Sequence, residues 1–283
     1  MELYQSIKRW SDNLDQRISH REALTKARQL YFAWIFANYL ILSSKASFFY
    51  SMESYIPKRT VGEFSGLQTI LNLLNFQNLN FLYSTFLVLI LGVSLVGIWG
   101  RYQRISSLLV YVLMLNLDNK AYVILDGGNN LVHLIGFYLI FIDTKNKKNS
   151  TSMVLTNLSS LMIKCQICFV YATAGLLKVM GPLWNKGIAL YYTMGVPEFG
   201  NQEIFNFLSS YPAIVALLTL GTVAFQISFP YLIWNKKLKP LMVLIGSSLH
   251  LSIAIGMGLF MFGLAMCMSY SFFNTDELEG AKS

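Results

Sequence analysis

Charge is scarce in this sequence. Only 13% of its 283 residues are Asp, Glu, Lys or Arg, where a soluble domain carries about a quarter. Beside 54% hydrophobic residues and a mean hydropathy of +0.48, this scarcity excludes an ordinary water-soluble globule. Cysteine is scarce too. Cys165, Cys168 and Cys267 all fall inside apolar runs, which excludes a disulfide framework. "CQIC" (165–168) has Cys-x-x-Cys spacing, but no second Cys or His pair completes a metal site, so it reads as small packing residues. Internal repeats, low-complexity linkers, a phosphate-binding glycine loop and a nucleophile elbow are all missing.

What is there is a series of apolar runs close to the roughly 20 residues that a membrane-spanning helix needs. They lie at about 29–50, 79–99, 105–117, 130–142, 153–177 and 212–234. A seventh, 240–273, is too long for one straight helix and divides near Gly256–Gly258. The fold class read from this pattern is all-α, a polytopic bundle of about eight transmembrane helices. Residues 1–28 form a cytoplasmic amphipathic segment, 29–273 the membrane domain and 274–283 a cytoplasmic tail. The opening segment has no compact apolar stretch followed by a cleavage site, so no signal peptide is read there.

The net charge of +8 raises the question of nucleic acid, and the distribution of the cations answers it. With the N-terminus inside, 15 of the 22 lysines and arginines fall in the opening segment, at 101–104, 145–148 and 236–239, and at Lys282. Short basic loops alternate as the positive-inside rule requires. Topology accounts for the excess and no nucleic-acid partner is expected. Both termini are read as cytoplasmic, in an inner membrane of bacterial type.

The same topology puts "NLDNK" (116–120) and "DGGNN" (126–130) on the outer side, between two spans of only about 13 residues. Either those helices extend and carry Asn116, Asp118 and Lys120 into the bilayer, or the polar loop dips into it. Irregular backbone at that depth survives only where protein or a water-filled cavity satisfies it. Both options point to an outward-facing polar cavity.

Within "AGLLKVMGPLWNKGIALYY" (174–192) an apolar helix delivers Lys178 at its last turn. Ala174 and Gly175 leave room for a neighbouring helix to approach. An amine that loses hydration there favours its neutral, basic form and can act as general base or nucleophile. Equally, Lys178 can snorkel, its ammonium reaching the interface. Asp126, Asn129 and Asn130 have two compatible readings, a tight turn with the asparagines capping a helix, or polar groups that orient a ligand or pair with Lys178. Trp184, Lys186, Tyr191 and Tyr192 line a pocket or belong to an interfacial aromatic belt. His20 lies in the opening segment, and His133, one turn into a span, reads as a packing residue. His250, inside "SSLHLSIAIGMG", is an intramembrane ionisable group and so a functional candidate.

"FVYATAGLLKVMGPLWNKGIALYY" resembles the signature of the HTTM family, the bacterial relatives of vitamin K-dependent γ-glutamyl carboxylase. The matching residues are Ala174, Gly175, Lys178, Trp184 and Gly187. "LDGGNNLVHLIGFYLIFID" is similar to the family's second segment and "HLSIAIGMGLFMFGLAMCMSYSFF" to its third, in the family's order over roughly 80–273. The resemblance implies that Lys178 is the base that triggers oxygenation of a reduced quinone, whose alkoxide removes a glutamyl proton before CO2 addition. Asp126, Asn129, Asn130, Trp184, Lys186 and His250 become substrate-binding or supporting residues, and no metal is implied.

Two features depart from the carboxylase. Asp126-Gly127-Gly128-Asn129-Asn130 stands where it has an Asn-Asn-His stretch, and its large lumenal peptide-handling domain has no counterpart. The size is closer to short members of the sporulation-delaying-protein B type, which assist maturation of a secreted peptide toxin. The expected function is therefore maturation or modification of an exported peptide, with membrane lipid and an accessory protein as partners. The rival is a non-catalytic membrane component that binds lipid, quinone or a partner protein, such as an immunity or assembly factor.

Overall fold

The computed structural model describes residues 18–50, 79–145, 150–198 and 201–274. Most of the opening segment, Lys58, Arg59, Lys147, Lys148 and the tail beyond Asn274 lie outside the described residues, and so do the expectations placed on them. Every regular element described is helical. The helices are α1 (Arg21–Ser43), α2 (Ala46–Tyr50), α3 (Leu79–Ile98), α4 (Gln103–Lys120), α5 (Gly127–Leu139), α6 (Ser150–Met180), α7 (Pro182–Asn185), α8 (Ala189–Met194), α9 (Gln202–Ser209), α10 (Pro212–Leu232), α11 (Lys239–Gly256) and α12 (Phe260–Tyr270).

Eight of these, α1, α3–α6 and α10–α12, fall on the eight expected apolar segments. The expectation of about eight membrane spans does not carry over with them. Three helices, α6, α10 and α11, are long and apolar enough to cross a membrane, while the apolar parts of α3 and α12 are shorter. At 13 residues, α5 measures about 20 Å against a hydrocarbon core of about 30 Å. Length and residual polarity, not absence of helix, make the difference.

Local chemistry sets several boundaries. α4 runs on to Lys120, so of the two options for "NLDNK" the helix extends and carries Asp118 with it. Pro212 opens α10 at its first turn, where the missing N–H has no partner to lose. Between α11 and α12 the chain turns at Gly258, whose φ of +70° suits a residue without a Cβ. α1 begins at Arg21 and continues without a break through position 28 into the apolar run, burying Leu24, Ala27, Arg28, Tyr31, Phe32, Ile35 and Tyr39 at the three- and four-residue spacing of one helix face.

Packing runs from α1 to α3, from α3 to α4 and from α4 to α5, and α5 then lies against both α6 and α12. α6 packs on α10, and α12 lies against α11 as well as α1. One core spans these helices. A satellite of Met194, Leu208 and Val215 sits under the short helices α8 and α9. Outward, α10 and α11 display large apolar side chains, Leu217 at 72% and Ile255 at 74% exposed, the kind of surface a lipid phase covers.

Arg28 is buried at 1% exposure. Its guanidinium stacks on Phe32 at 4.6 Å. It donates to the carbonyls of Gly97 at 3.4 Å and Gln103 at 2.5 Å, and to Ser106 Oγ at 2.9 Å. These carbonyls and hydroxyls flank the α3–α4 turn, which passes through Gly100 and Tyr102 at positive φ. Arg28 thus satisfies backbone groups that the turn itself leaves open. Replacing Arg28 by Met is expected to cost about 3 kcal/mol, read as a fall in melting temperature of the detergent-solubilised protein. A melting temperature within about 1 °C of wild type contradicts this role.

Candidate functional site

The site begins at the end of α6. Tyr171, Gly175 and Lys178 follow one another at four- and three-residue steps and share one face. Gly175 is where α10 comes closest, for a Cβ there would stand 2.9 Å from Ile227 Cδ1. That is the close approach expected from the sequence, and Ile227 is its partner. After Met180 the chain folds back. Gly181 N–H donates to Lys178 O at 2.9 Å, Pro182 opens α7, and Asn185 Nδ2 donates to Val179 O at 2.6 Å. This fold-back carries the Trp184 ring under the lysine, with Nζ 4.9 Å from the ring centroid. Gly187 at φ +72° closes the turn against Ala216 of α10. The A-G-x-x-K and W-x-x-G steps thus form one unit, a helix end and the loop that lies on it.

Lys178 is half-buried, and its charge is felt at His250 of α11. His250 is 3% exposed, and its Nε2 lies 2.7 Å from Tyr171 Oη, which in turn hydrogen-bonds Tyr270 Oη. Nδ1 of His250 is buried with no hydrogen-bond partner among the described residues. Apolar rings enclose the trio: Phe229 lies 4.1 Å from Tyr171 by ring centroids and Phe262 lies 5.5 Å from His250. An imidazole and two phenols therefore share one apolar setting, with the Lys178 charge felt at the imidazole. Such a set can accept, hold and redistribute a proton, and low local dielectric strengthens the hydrogen bonds within it.

The polar turn "DGGNN" has become a helix cap. Asp126 Oδ1 accepts from Gly128 N at 2.7 Å and Asn129 N at 3.1 Å, and Asn129 Oδ1 accepts from Asp126 N at 3.2 Å. This is a reciprocal capping box in which Asp126, not an asparagine, is the cap residue. The hydrogen bonds of its carboxylate go to its own helix. Asn130 and Lys186 are exposed. The turn nevertheless reaches the site's surroundings by packing, since a Cβ on Gly128 would lie 3.0 Å from Phe262 Cα, and Phe262 is the ring beside His250. Of the sequence-predicted residues, the structure brings Lys178 and Trp184 into contact, joins His250 to Tyr171 on the helix that carries Lys178, and packs the Asp126–Asn129 turn against Phe262.

Sequence reasoning missed Tyr171 and Tyr270. The signal for Tyr171 was available, a phenol seven residues before Lys178 on the same helix face. Tyr270 carried no such signal. His133, read as a packing residue, has a partner inside the bundle: its Nε2 lies 2.7 Å from Asp118 Oδ2, and Tyr39 Oη donates to Asp118 Oδ1 at 2.6 Å. That triad joins α1, α4 and α5 around a carboxylate buried at 3% exposure. The cysteines are free, and no group of three or more His, Cys, Asp or Glu that could hold a metal occurs among the described residues.

Fold and site together define a helical protein with helices of membrane-crossing length and a buried imidazole–phenol trio on the helix that ends in a half-buried lysine. The chain is similar to the sporulation-delaying protein SdpB of Bacillus subtilis (strain 168), with 25% identity over 209 residues, 68% of this chain and 62% of that protein. It thus spans less than two thirds of the length of the curated relative it matches. No protein-family model matches the chain, so the HTTM resemblance rests on the quoted residues alone. No solved structure matches it either.

A double-mutant cycle tests the Asp118–His133 contact. Asp118→Asn and His133→Gln, alone and combined, are expected to show a coupling of about 2 kcal/mol in unfolding free energy. Additive effects contradict the pairing.

Proposed function

We propose that this chain is an integral membrane protein that matures or modifies an exported peptide or protein, with Lys178 as the base. One observation carries the reading. Lys178 sits on an aromatic ring at the end of the helix whose Tyr171 belongs to a buried, hydrogen-bonded imidazole–phenol trio, with no ion pair to a carboxylate among the described residues. A lysine so placed is the kind that serves as a general base. The similarity to SdpB and the ordered resemblance to HTTM proteins support the same reading. In the orientation inferred from the cation distribution, both termini are cytoplasmic in a bacterial inner membrane and Lys178 faces outward.

The resemblance names a reduced quinone as cofactor. Trp184 and Phe262 offer aromatic surface for its ring, and the unpartnered Nδ1 of His250 offers a hydrogen-bonding atom. A reduced quinone bound there would supply the oxidisable ring, Nζ of Lys178 would accept the proton of its hydroxyl, and His250, held by Tyr171, would orient its polar edge.

A second reading is favoured by the same contact. A cation resting on an indole is also a stable, inert arrangement, worth about 1 kcal/mol, and a non-catalytic assembly or immunity component would keep it. Mass spectrometry of peptides secreted by cells carrying wild-type, Lys178→Arg and Lys178→Met chains separates the two. The catalytic reading expects a secreted peptide whose modified form or yield falls at least tenfold in both variants, with membrane insertion unaltered. A secretome that is the same in all three strains overturns it and leaves the non-catalytic reading.

A further inference from the structure

Three buried side chains from α6, α11 and α12 share two hydrogen bonds, and the protons in those bonds can be ordered in more than one way. His250 Nε2 lies 2.7 Å from Tyr171 Oη, which is bonded in turn to Tyr270 Oη. All three side chains are 3% exposed or less. Tyr270 Oη has no second hydrogen-bond partner among the described residues, and His250 Nδ1 has none at all. The rings of Phe225, Phe229 and Phe262 close round the trio. Gly246 makes room for it, since a Cβ there would collide with Tyr270 Oη.

An imidazolium in that enclosure, bonded to a phenol and to no carboxylate, is unfavourable. The ring is therefore neutral, one nitrogen a donor and the other an acceptor. Two proton orders fit the contacts. In the first, Tyr270 donates to Tyr171, Tyr171 donates to Nε2, and the imidazole proton sits on Nδ1. In the second, Nε2–H donates to Tyr171 and Tyr171 donates to Tyr270. That second order leaves two groups unmet, the Tyr270 hydroxyl proton and the Nδ1 lone pair. The first leaves one, the Nδ1 proton. Each unmet buried group carries a desolvation cost, so the first order is the stable one. What remains is a buried N–H without an acceptor, on a ring that feels the charge of Lys178. Both features suit an oxygen with lone pairs to offer, and a charged one most of all.

We propose that Tyr270 and Tyr171 hold His250 as the Nδ1–H tautomer, a buried hydrogen-bond donor, and so select a ligand that presents an acceptor oxygen, a ring carbonyl or a carboxylate. Tyr171 and Tyr270 are positioning residues that act through His250. That this ligand is the one handled at Lys178 rests on the function proposed above; the proton order does not.

The chain has three histidines, His20, His133 and His250, so nitrogen NMR of the full chain in neutral detergent, with heavy-nitrogen histidine, reads each ring. His250 is identified by the signals lost in His250→Gln. At neutral pH the wild type is expected to show a protonated Nδ1 and a bare Nε2. Tyr171→Phe is expected to lose that preference, its two ring nitrogens averaging, with helical content retained. Two probes, 2-methyl-1,4-naphthoquinone and hexanoate, offer acceptor oxygens, and 2-methylnaphthalene offers the ring without them. At least one oxygen probe is expected to move the Nδ1 proton signal downfield, and the one that does so tells a carbonyl from a carboxylate; 2-methylnaphthalene is expected to leave it in place. Tautomer and probe shift are expected to persist in Lys178→Met, so unchanged secreted peptides in that strain sink the base and not this inference. A wild-type ring protonated on Nε2 or on both nitrogens contradicts the proposal. So does a Tyr171→Phe ring that keeps the wild-type pattern, an Nδ1 signal that neither oxygen probe moves, or one that 2-methylnaphthalene moves equally.

Discussion

The arrangement of this molecule depends on one close contact. α12 lies against α11 so tightly that a Cβ on Gly263 would fall 2.5 Å from the carbonyl oxygen of His250. Only a residue without a side chain permits that approach, and small residues that bring backbones together are the usual basis of helix association in lipid. The consequence is specific. With α12 at this distance, Tyr270 meets Tyr171 of α6, and Tyr171 meets His250 Nε2. Three helices share one hydrogen-bonded chain, and its imidazole feels the charge of the lysine at the end of α6.

Polar groups in the rest of the bundle obey the same constraint. Inside an apolar phase every donor and acceptor must be satisfied by protein. Arg28 does so for the α3–α4 turn, Asp126 for the start of α5, and Tyr39 with His133 for the buried Asp118 carboxylate. Of these, Asp126 also read from the sequence as a group that orients a ligand. Their environments make them structural, and they leave Lys178 as a half-buried amine on an aromatic ring with no ion pair to an acid among the described residues.

The positions of the helices were legible because apolar runs of the right length are local. The break at Gly256–Gly258 and the room at Gly175 were legible because glycine leaves a mark in the chain itself. The full extent of α4 was not, since Asn116, Asp118 and Lys120 are poor residues for a lipid-facing helix and are tolerated only because Asp118 has partners on α1 and α5. The cap at α5 was read on the wrong residue type, as asparagine and aspartate compete for the same role within one short turn. The site was half visible. Lys178, Trp184 and His250 could be named, but Tyr171 meets His250 across 79 residues and Tyr270 across 99, distances over which composition and periodicity carry no signal.

Competitive amine labelling of the detergent-solubilised chain, read lysine by lysine with mass spectrometry, tests most directly whether Lys178 belongs to a working cluster. A base held apart from carboxylates reacts as a nucleophile. Lys178 is expected to label several-fold faster than the exposed Lys186 at neutral pH, and to lose that advantage in His250→Phe and Tyr171→Phe chains that retain their helical content. Labelling of Lys178 at or below the rate of Lys186, unchanged by either substitution, contradicts the account and returns Lys178 to the status of a cation resting on Trp184.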